Sequence, residues 1–442
     1  MRSFLCLPVI LIAMNVAAQK TILINNVQVF NGNEEKTIKG NVLISGNLIT
    51  KISTTAIEPE NKTDLYIIDG QGRFLMPGLI DAHTHIMMES LSEMALMGSD
   101  IEFITVIAVN AAKKNLMQGF TTFRDAGGPT FGLKKAIDMG IIPGPRIYPS
   151  GAMISQTAGH GDFLMPQEVP REAAAPLAYA EKHSVGIIAD GVDEVTKRVR
   201  EQLRQGASQI KLAAGGGASS KYDPLDVAQY SEAELAAAVN AADNWNTYVM
   251  VHAYTPRSIQ TAIKAGVRCI EHGHLVDEET VKIMAGKKIW WCLQPFTDDD
   301  KSPHAPGSPS FIKQQQLRKG TDSAYFLAKK YKIKTAFGTD CLFDAGKSGK
   351  RGLQLTKLTR WYNPFEILHI ATAVNGELMA LSGPRNPYPN KLGTIEPGAY
   401  ADILLIDGNP LQDIKLLEDP DKNILLIIKD GIVYKNMLQP VK

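Results

Sequence analysis

Cysteine is scarce, charge is balanced, and only one long hydrophobic run occurs in the 442 residues. Each shortage removes a class of protein. Cys6 lies in that N-terminal run, and Cys269, Cys292 and Cys341 are too scattered for a disulfide framework or a zinc knuckle. They are expected as small buried side chains. Lys plus Arg number 47 against 46 Asp plus Glu, a net charge of +1 that offers no electrostatic hold on nucleic acid. Beyond the N-terminus no stretch is long and apolar enough for a permanent membrane span. Repeats and low-complexity segments are missing too. What is left is an ordinary globular composition, 44% hydrophobic and 21% charged, at a length that suits one barrel-sized unit plus a smaller one.

The N-terminal run has the order of an export leader. Arg2 precedes FLCLPVILIAM, and Val16, Ala17 and Ala18 supply small residues where a signal peptidase cuts. Residues 1–18 are therefore expected to be removed, leaving Gln19 first and the protein secreted or periplasmic. Cys6 sits inside the apolar run, which argues against a lipid-anchored cysteine.

From Lys20 the chain alternates in short β-like runs, TILINNVQVFNG, GNVLISGNLITKIS and DLYIIDG, punctuated by Asn-Gly and Gly-Asn pairs that suit hairpins. The same style returns in KLGTIEPGAYADILLIDGNP and NILLIIKDGIVYKN. Both ends thus predict one small β-sandwich, residues 19–75 plus 387–442, split by everything between. Residues 76–386 change rhythm. Short apolar runs alternate with helical segments such as SEAELAAAVNAADNW, DEETVKIMAGKK and DSAYFLAKKY. That alternation predicts a parallel α/β sheet, and eight usable strand ends favour a closed (β/α)8 TIM barrel. Those ends are GLIDAHTH, FTTFRDAG, RIYPSG, QIKLAAGG, VMVHAY, CIEHGH, IWWCLQP and TAFGTD. The Asp-, Pro- and Ser-rich residues 297–310 are expected to loop over the same rim.

The polar residues at those ends are not scattered. His83 and His85 close the first strand, Lys211 lies on the fourth, His252 ends the fifth, His272 the sixth and Asp340 the eighth. Two histidines one residue apart on a strand point to the same side. Singly, a lysine or histidine in a β-run is more often structural than catalytic. Six such groups on converging strand ends argue for a metal centre.

The pattern PGLIDAHTH … IKLAAGGG … VMVHAY … IEHGH … GTD resembles the amidohydrolase superfamily of metal-dependent hydrolases. Within it, the resemblance is to the branch of imidazolonepropionase-related enzymes and bacterial Xaa-Pro dipeptidases, and it covers nearly all of the chain after residue 18. It implies two divalent metals sharing one hydroxide. His83, His85 and Asp340 would hold one metal and His252 and His272 the other, with Lys211 between them as a carbon dioxide-derived carbamate. Imidazole and carboxylate donors suit Zn2+ first, with manganese, cobalt or iron also compatible. Asp340 would serve as general acid/base. The resemblance further places His160, in SQTAGHGD, and Tyr254, after His252, on the substrate carbonyl or carboxylate, with loop packing the alternative for each. It also implies assembly as a homo-oligomer.

Other candidates carry less. His274 repeats the opening spacing after His272 but lies outside the family's ligand set. GGGASSK, residues 215–221, lacks the spacing of a phosphate loop and is expected to be a turn that brings backbone close to the metals. Arg124 and Asp125 are expected to form a structural ion pair. Of Trp290 and Trp291, at least one is expected in the core, the other along the pocket. The expected activity is hydrolysis of a peptide-like amide, by a dipeptidase, prolidase or carboxypeptidase-type enzyme on a small-molecule or dipeptide substrate. Ring-opening of a cyclic amide or lactone is the alternative, and a non-catalytic binding protein on the same fold a distant one.

Overall fold

The computed structural model describes residues 21–438, apart from 61, 63, 165–174, 221, 299–301 and 303. The expected leader, residues 1–18, lies outside the described residues. Five strands come first: β1 Thr21–Phe30, β2 Thr37–Ser45, β3 Leu48–Ser53, β4 Leu65–Asp69 and β5 Phe74–Pro77. Next come β6 Leu79–Thr84, β7 Phe120–Asp125, β8 Arg146–Tyr148, β9 Met153–Ser155, β10 Gly186–Ile188 and β11 Ile210–Ala213. They are followed by β12 Val249–Ala253, β13 Cys269–His272, β14 Trp290–Leu293 and β15 Thr335–Phe337, and last by β16 Ile403–Ile406, β17 Ile424–Lys429 and β18 Ile432–Asn436.

Both ends of the chain share one sheet, in the order β18-β17-β16-β5-β1-β2-β3, with β4 also paired to β1. β1 forks: residues 21–25 run parallel to β4, while Gln28 and Val29 run parallel to β5. The side chains that alternate inward, among them Ile22, Val42, Ile68, Leu75, Ile403 and Leu426, pack into one buried apolar cluster. This cluster supplies the driving force for joining segments more than three hundred residues apart.

The middle of the chain is α/β, as expected. β11 to β15 run parallel in sequence order, with β9 and β10 at the β11 edge, and β6-β7-β8 form a second parallel set. Helices join these strands because the sequence supplies both apolar faces and caps. Ser231 and Glu234 form a reciprocal capping box at the start of Glu232–Asp243, and Asp277 and Ser308 cap Glu278–Lys287 and Pro309–Lys330. The last of these begins well ahead of the expected DSAYFLAKKY segment.

The two parallel sheets meet at two seams. At one, the Asn375 side-chain amide donates to Ile80 O on β6 (2.7 Å) and Phe337 O on β15 (2.9 Å). At the other, the Ser208 amide ahead of β11 donates to Pro149 O after β8 (2.8 Å), and the Gln209 side chain donates to Tyr148 O (2.8 Å). The expected third strand, RIYPSG, is present as β8 and stops at Tyr148, and a further strand not expected from the sequence, β9, follows it. Pro149 has no amide hydrogen for a ladder, and Gly151 takes φ +73, where a Cβ would lie 2.2 Å from Gln202 Oε1.

Three other expectations meet the structure. Cys269, Cys292 and Cys341 are free and buried. No described helix is long and apolar enough to cross a membrane. Trp290 and Trp291 are both buried, and neither lines the cleft described below.

The terminal sheet is fastened to the parallel strands by Arg146 on β8. Its guanidinium makes a two-pronged contact with Asp402 (2.9 and 3.2 Å) and reaches Asp430 (2.7 Å), with the Tyr400 ring 4.0 Å beneath. Removing one partner of a buried pair strands the other charge. Arg146→Met is therefore predicted to cost about 3–5 kcal/mol of unfolding free energy, measured by denaturant titration.

Candidate metal centre

The candidate donors from five of the strand ends singled out from the sequence line one cleft of about 700 Å3. Its lining includes His83, His85, Lys211, His252, His272 and Asp340, together with His160 and Tyr254. The side chain of Asp340 is 18% exposed to it. Two of these strand ends leave ordinary backbone geometry: His272 takes φ +73 and Asp340 φ +46. Non-glycine residues reach the left-handed region at an energetic cost.

The nitrogens farther from the cleft are all committed. His83 Nδ1 faces Glu271 Oε2 (2.6 Å), His85 Nδ1 faces Gly127 O (3.0 Å), His272 Nδ1 faces Gln294 Oε1 (2.7 Å), and His252 Nε2 faces Gly216 O (3.0 Å). Each partner accepts, so each of these nitrogens carries the ring's hydrogen and the other nitrogen is a bare acceptor. Two of those acceptors face each other across the carboxylate of Asp340. His83 Nε2 and His85 Nε2 are 3.3 Å apart, and each lies 3.5 Å from Asp340 Oδ1.

Protonation does not relieve the crowding. Burial and then the charge of Lys211 push His85 down to about 3, and burial holds His83, His252 and His272 well below the ordinary imidazole range. Burial lifts the Asp340 carboxyl to about 6 against the pull of Lys347 and Lys211. It also pushes the Lys211 ammonium, 1% exposed, down from the usual amine range. A ring of unprotonated donors around one point is a donor set that fits a divalent cation. His83, His272 and Asp340 also have ligand atoms all within 4.8 Å of one another, so the close donors span the two sets expected from the resemblance.

Sequence reasoning missed the layer behind the donors. Glu271, which orients His83, also takes a 2.7 Å ion pair from Arg124, and both are fully buried. The expected Arg124–Asp125 pair is thereby corrected. Successive strand residues point to opposite faces, so Asp125 instead accepts from the Thr130 hydroxyl (3.2 Å) and the Gly127 amide (3.4 Å). A glutamate inside the apolar strand CIEHGH was the available cue, since buried acids are rarely unpaired. Asp81 does the same for the other strands, accepting from the amides of His83 (3.2 Å) and Thr339 (3.0 Å) while contacting Arg351.

The remaining candidates separate. Tyr254 packs edge-on to His252, and burial keeps its phenol protonated. His160 stacks on His252 at 3.9 Å between ring centroids, its Nδ1 on Ser220 Oγ (2.7 Å). His274 is buried off the cleft lining, with Nε2 on Gln294 O (2.9 Å) and its ring stacked on Phe296. The GGG turn brings backbone against both His252 and His160: a Cβ on Gly217 would lie 2.0 Å from the His160 ring.

Comparison with known proteins finds relatives over most of the chain. The sequence profile of the Amidohydrolase family matches residues 74–433. Ochratoxinase of Aspergillus niger is 34% identical over 391 residues, which is 82% of this chain and 75% of that protein. Its crystal structure superposes with a TM-score of 0.82 at 29% identity, over 95% of this chain and 96% of that one. A prolidase solved with N-methylphosphonate-L-proline gives 0.85 at 30% identity, over 94% of this chain and all of that one. A Xaa-Pro dipeptidase with methionine in its active site gives 0.80 at 27%, with the same coverage.

Glu271→Gln removes the carboxylate that orients His83 while keeping its shape. Metal affinity is predicted to fall about 10–100-fold, read by competition with a chelator.

Proposed function

The chain belongs to the amidohydrolase family, and from that premise we propose that it is a binuclear metal-dependent hydrolase of peptide-like amides. The donor set facing the cleft carries this reading: four imidazoles with bare nitrogens, one carboxylate and one buried lysine at strand ends. His83, His85 and Asp340 would hold one ion, His252 and His272 the second, with Lys211 carboxylated between them. Bound there, a pair of divalent ions, Zn2+ first, supplies an acidified water and a polarised scissile carbonyl.

The chain's own groups do the rest. Asp340 presents its carboxylate to the cleft, where it would take a proton at Oδ and return it to the departing amine. His160 has its Nδ1 engaged by Ser220, which leaves Nε2 for the substrate carbonyl or carboxylate. The protonated Tyr254 hydroxyl is a second donor. The cleft volume falls within the roughly 300–1,000 Å3 typical of pockets for drug-sized ligands. It also carries apolar walls, Phe163, Phe296 and Leu317 among them, with Arg318, Lys347 and Lys350 nearby. Such walls suit an acyl amino acid or dipeptide with an apolar residue. The prolidase and Xaa-Pro dipeptidase among the structural relatives favour an amide over a lactone.

The architecture we propose with it is a (β/α)8 barrel, residues 76–386, closed at the Asn375 and Ser208–Gln209 seams, with a β-sandwich from residues 19–75 and 387–442. Export after cleavage of residues 1–18 is part of the same proposal, supported by the order of Arg2, the apolar run and the small residues.

The test is amine release from dipeptides and N-acyl amino acids varied at the C-terminal residue, proline included, with metal-loaded and chelated protein. Metal-dependent turnover is expected, and silence across the panel with metal bound would contradict the amide reading. On a cleaved substrate, Tyr254→Phe is predicted to lose about 1 kcal/mol of binding, a roughly fivefold rise in KM.

A further inference from the structure

One charged side chain outside the donor set is held in an unusual way. Lys313, in the first turns of the helix Pro309–Lys330, donates from Nζ to three backbone carbonyls: Gly217 (3.0 Å), Ser220 (3.0 Å) and Asp223 (2.7 Å). An ammonium has three hydrogens, so all of them are used on one loop. Nearly a hundred residues separate Lys313 from that loop, and the chain between them includes β12, β13 and β14.

The loop reaches both kinds of site residue. Gly216 O fixes the ring orientation of His252 (3.0 Å). Ser220 Oγ sits on His160 Nδ1 (2.7 Å), and Asp223 Oδ2 lies 3.7 Å from the same nitrogen. Asp223 also accepts from the Gly217 amide (2.7 Å) and the Gln229 side chain (3.3 Å), while Gln229 Oε1 accepts from the His160 amide (3.0 Å). Burial alone would raise the Asp223 carboxyl. Its contacts with His160, Ser220 and Gly217 outweigh that and hold it below the ordinary carboxylate range. The three glycines give this segment little stiffness of its own. Close packing makes two of them necessary, since a Cβ on Gly216 would lie 1.8 Å from Pro224 O and one on Gly217 2.0 Å from the His160 ring.

We propose that Lys313 is a positioning residue: its ammonium, converging on the carbonyls of Gly217, Ser220 and Asp223, latches the glycine-rich loop and thereby sets His160 against His252 for substrate binding. The three carbonyls provide a cavity for a small ammonium ion, so the latch is replaceable from solution. The substrate half of this inference rests on the proposed role of His160. The loop half does not.

The test is hydrogen exchange of the full chain with Lys313→Met, which keeps the apolar stem and loses the charge, and with Lys313→Ala. In Lys313→Met, amides of residues 215–220, 222 and 223 are expected to exchange at least about tenfold faster, and those of β12 and β13 at the wild-type rate. In Lys313→Ala, ethylammonium chloride is expected to restore much of the loop's protection where sodium chloride does not. Wild-type protection of the loop in both variants would overturn the proposal. So would faster exchange throughout β12 and β13, because the lysine would then support the fold at large. On any amide that the wild type cleaves, Lys313→Met is expected to raise KM about tenfold with kcat changed less than about threefold and metal content unaltered. A fall in kcat alone would refute the substrate half. Should no amide be cleaved, the exchange result still decides the loop half.

Discussion

Unprotonated lone pairs pressed together in a buried space are the constraint around which this chain is arranged. His83 Nε2, His85 Nε2 and Asp340 Oδ1 lie within 3.5 Å of one another, with no hydrogen between the two rings to bind them. Such a cluster repels itself unless a cation neutralises it. Its persistence requires that every other degree of freedom be fixed, and the surrounding contacts do that. Glu271, Gly127, Gly216 and Gln294 each hold one ring from behind, Arg124 compensates Glu271, and Asp81 pins the backbone of β6 to the segment carrying Asp340.

The same constraint explains why the fold takes this shape. Donors from β6, β11, β12, β13 and the turn after β15 meet only if strands distant in sequence run parallel with their C-terminal ends together. The helices that cover them are specified locally by caps such as Ser231 with Glu234. The work of shaping substrate access falls to the connections after the strands, where backbone can vary without disturbing the core. The glycine-rich turn after β11 belongs to that group, and so do residues 294–298 and 304–308 ahead of the Lys313 helix.

Much of this was legible in the sequence because strand periodicity and ligand chemistry point the same way. His83 and His85 share a face, and the apolar body of each strand ends in a polar tip. The partners behind the donors were less legible, since they are joined across strands. Arg124 was matched to its neighbour Asp125, yet its guanidinium crosses to Glu271 on β13, 147 residues away. The interruption between β8 and β9 goes with Pro149 and with Gly151, where a Cβ would meet Gln202 on the helix Gly191–Gln205. His274 copied the spacing of a ligand but is turned onto Phe296 after the left-handed His272 and Gly273. Lys313 carried no signal at all, because a lysine near a helix N-terminus looks like solvent-facing charge.

The most direct test of the account is metal stoichiometry of the purified chain by elemental analysis, beside Lys211→Ala. About two divalent ions per chain are predicted for the wild type, in keeping with a dinuclear hydrolytic site, and one or none for the variant. A wild type that holds no metal after loading, or a variant that still holds two with undiminished affinity, would contradict it.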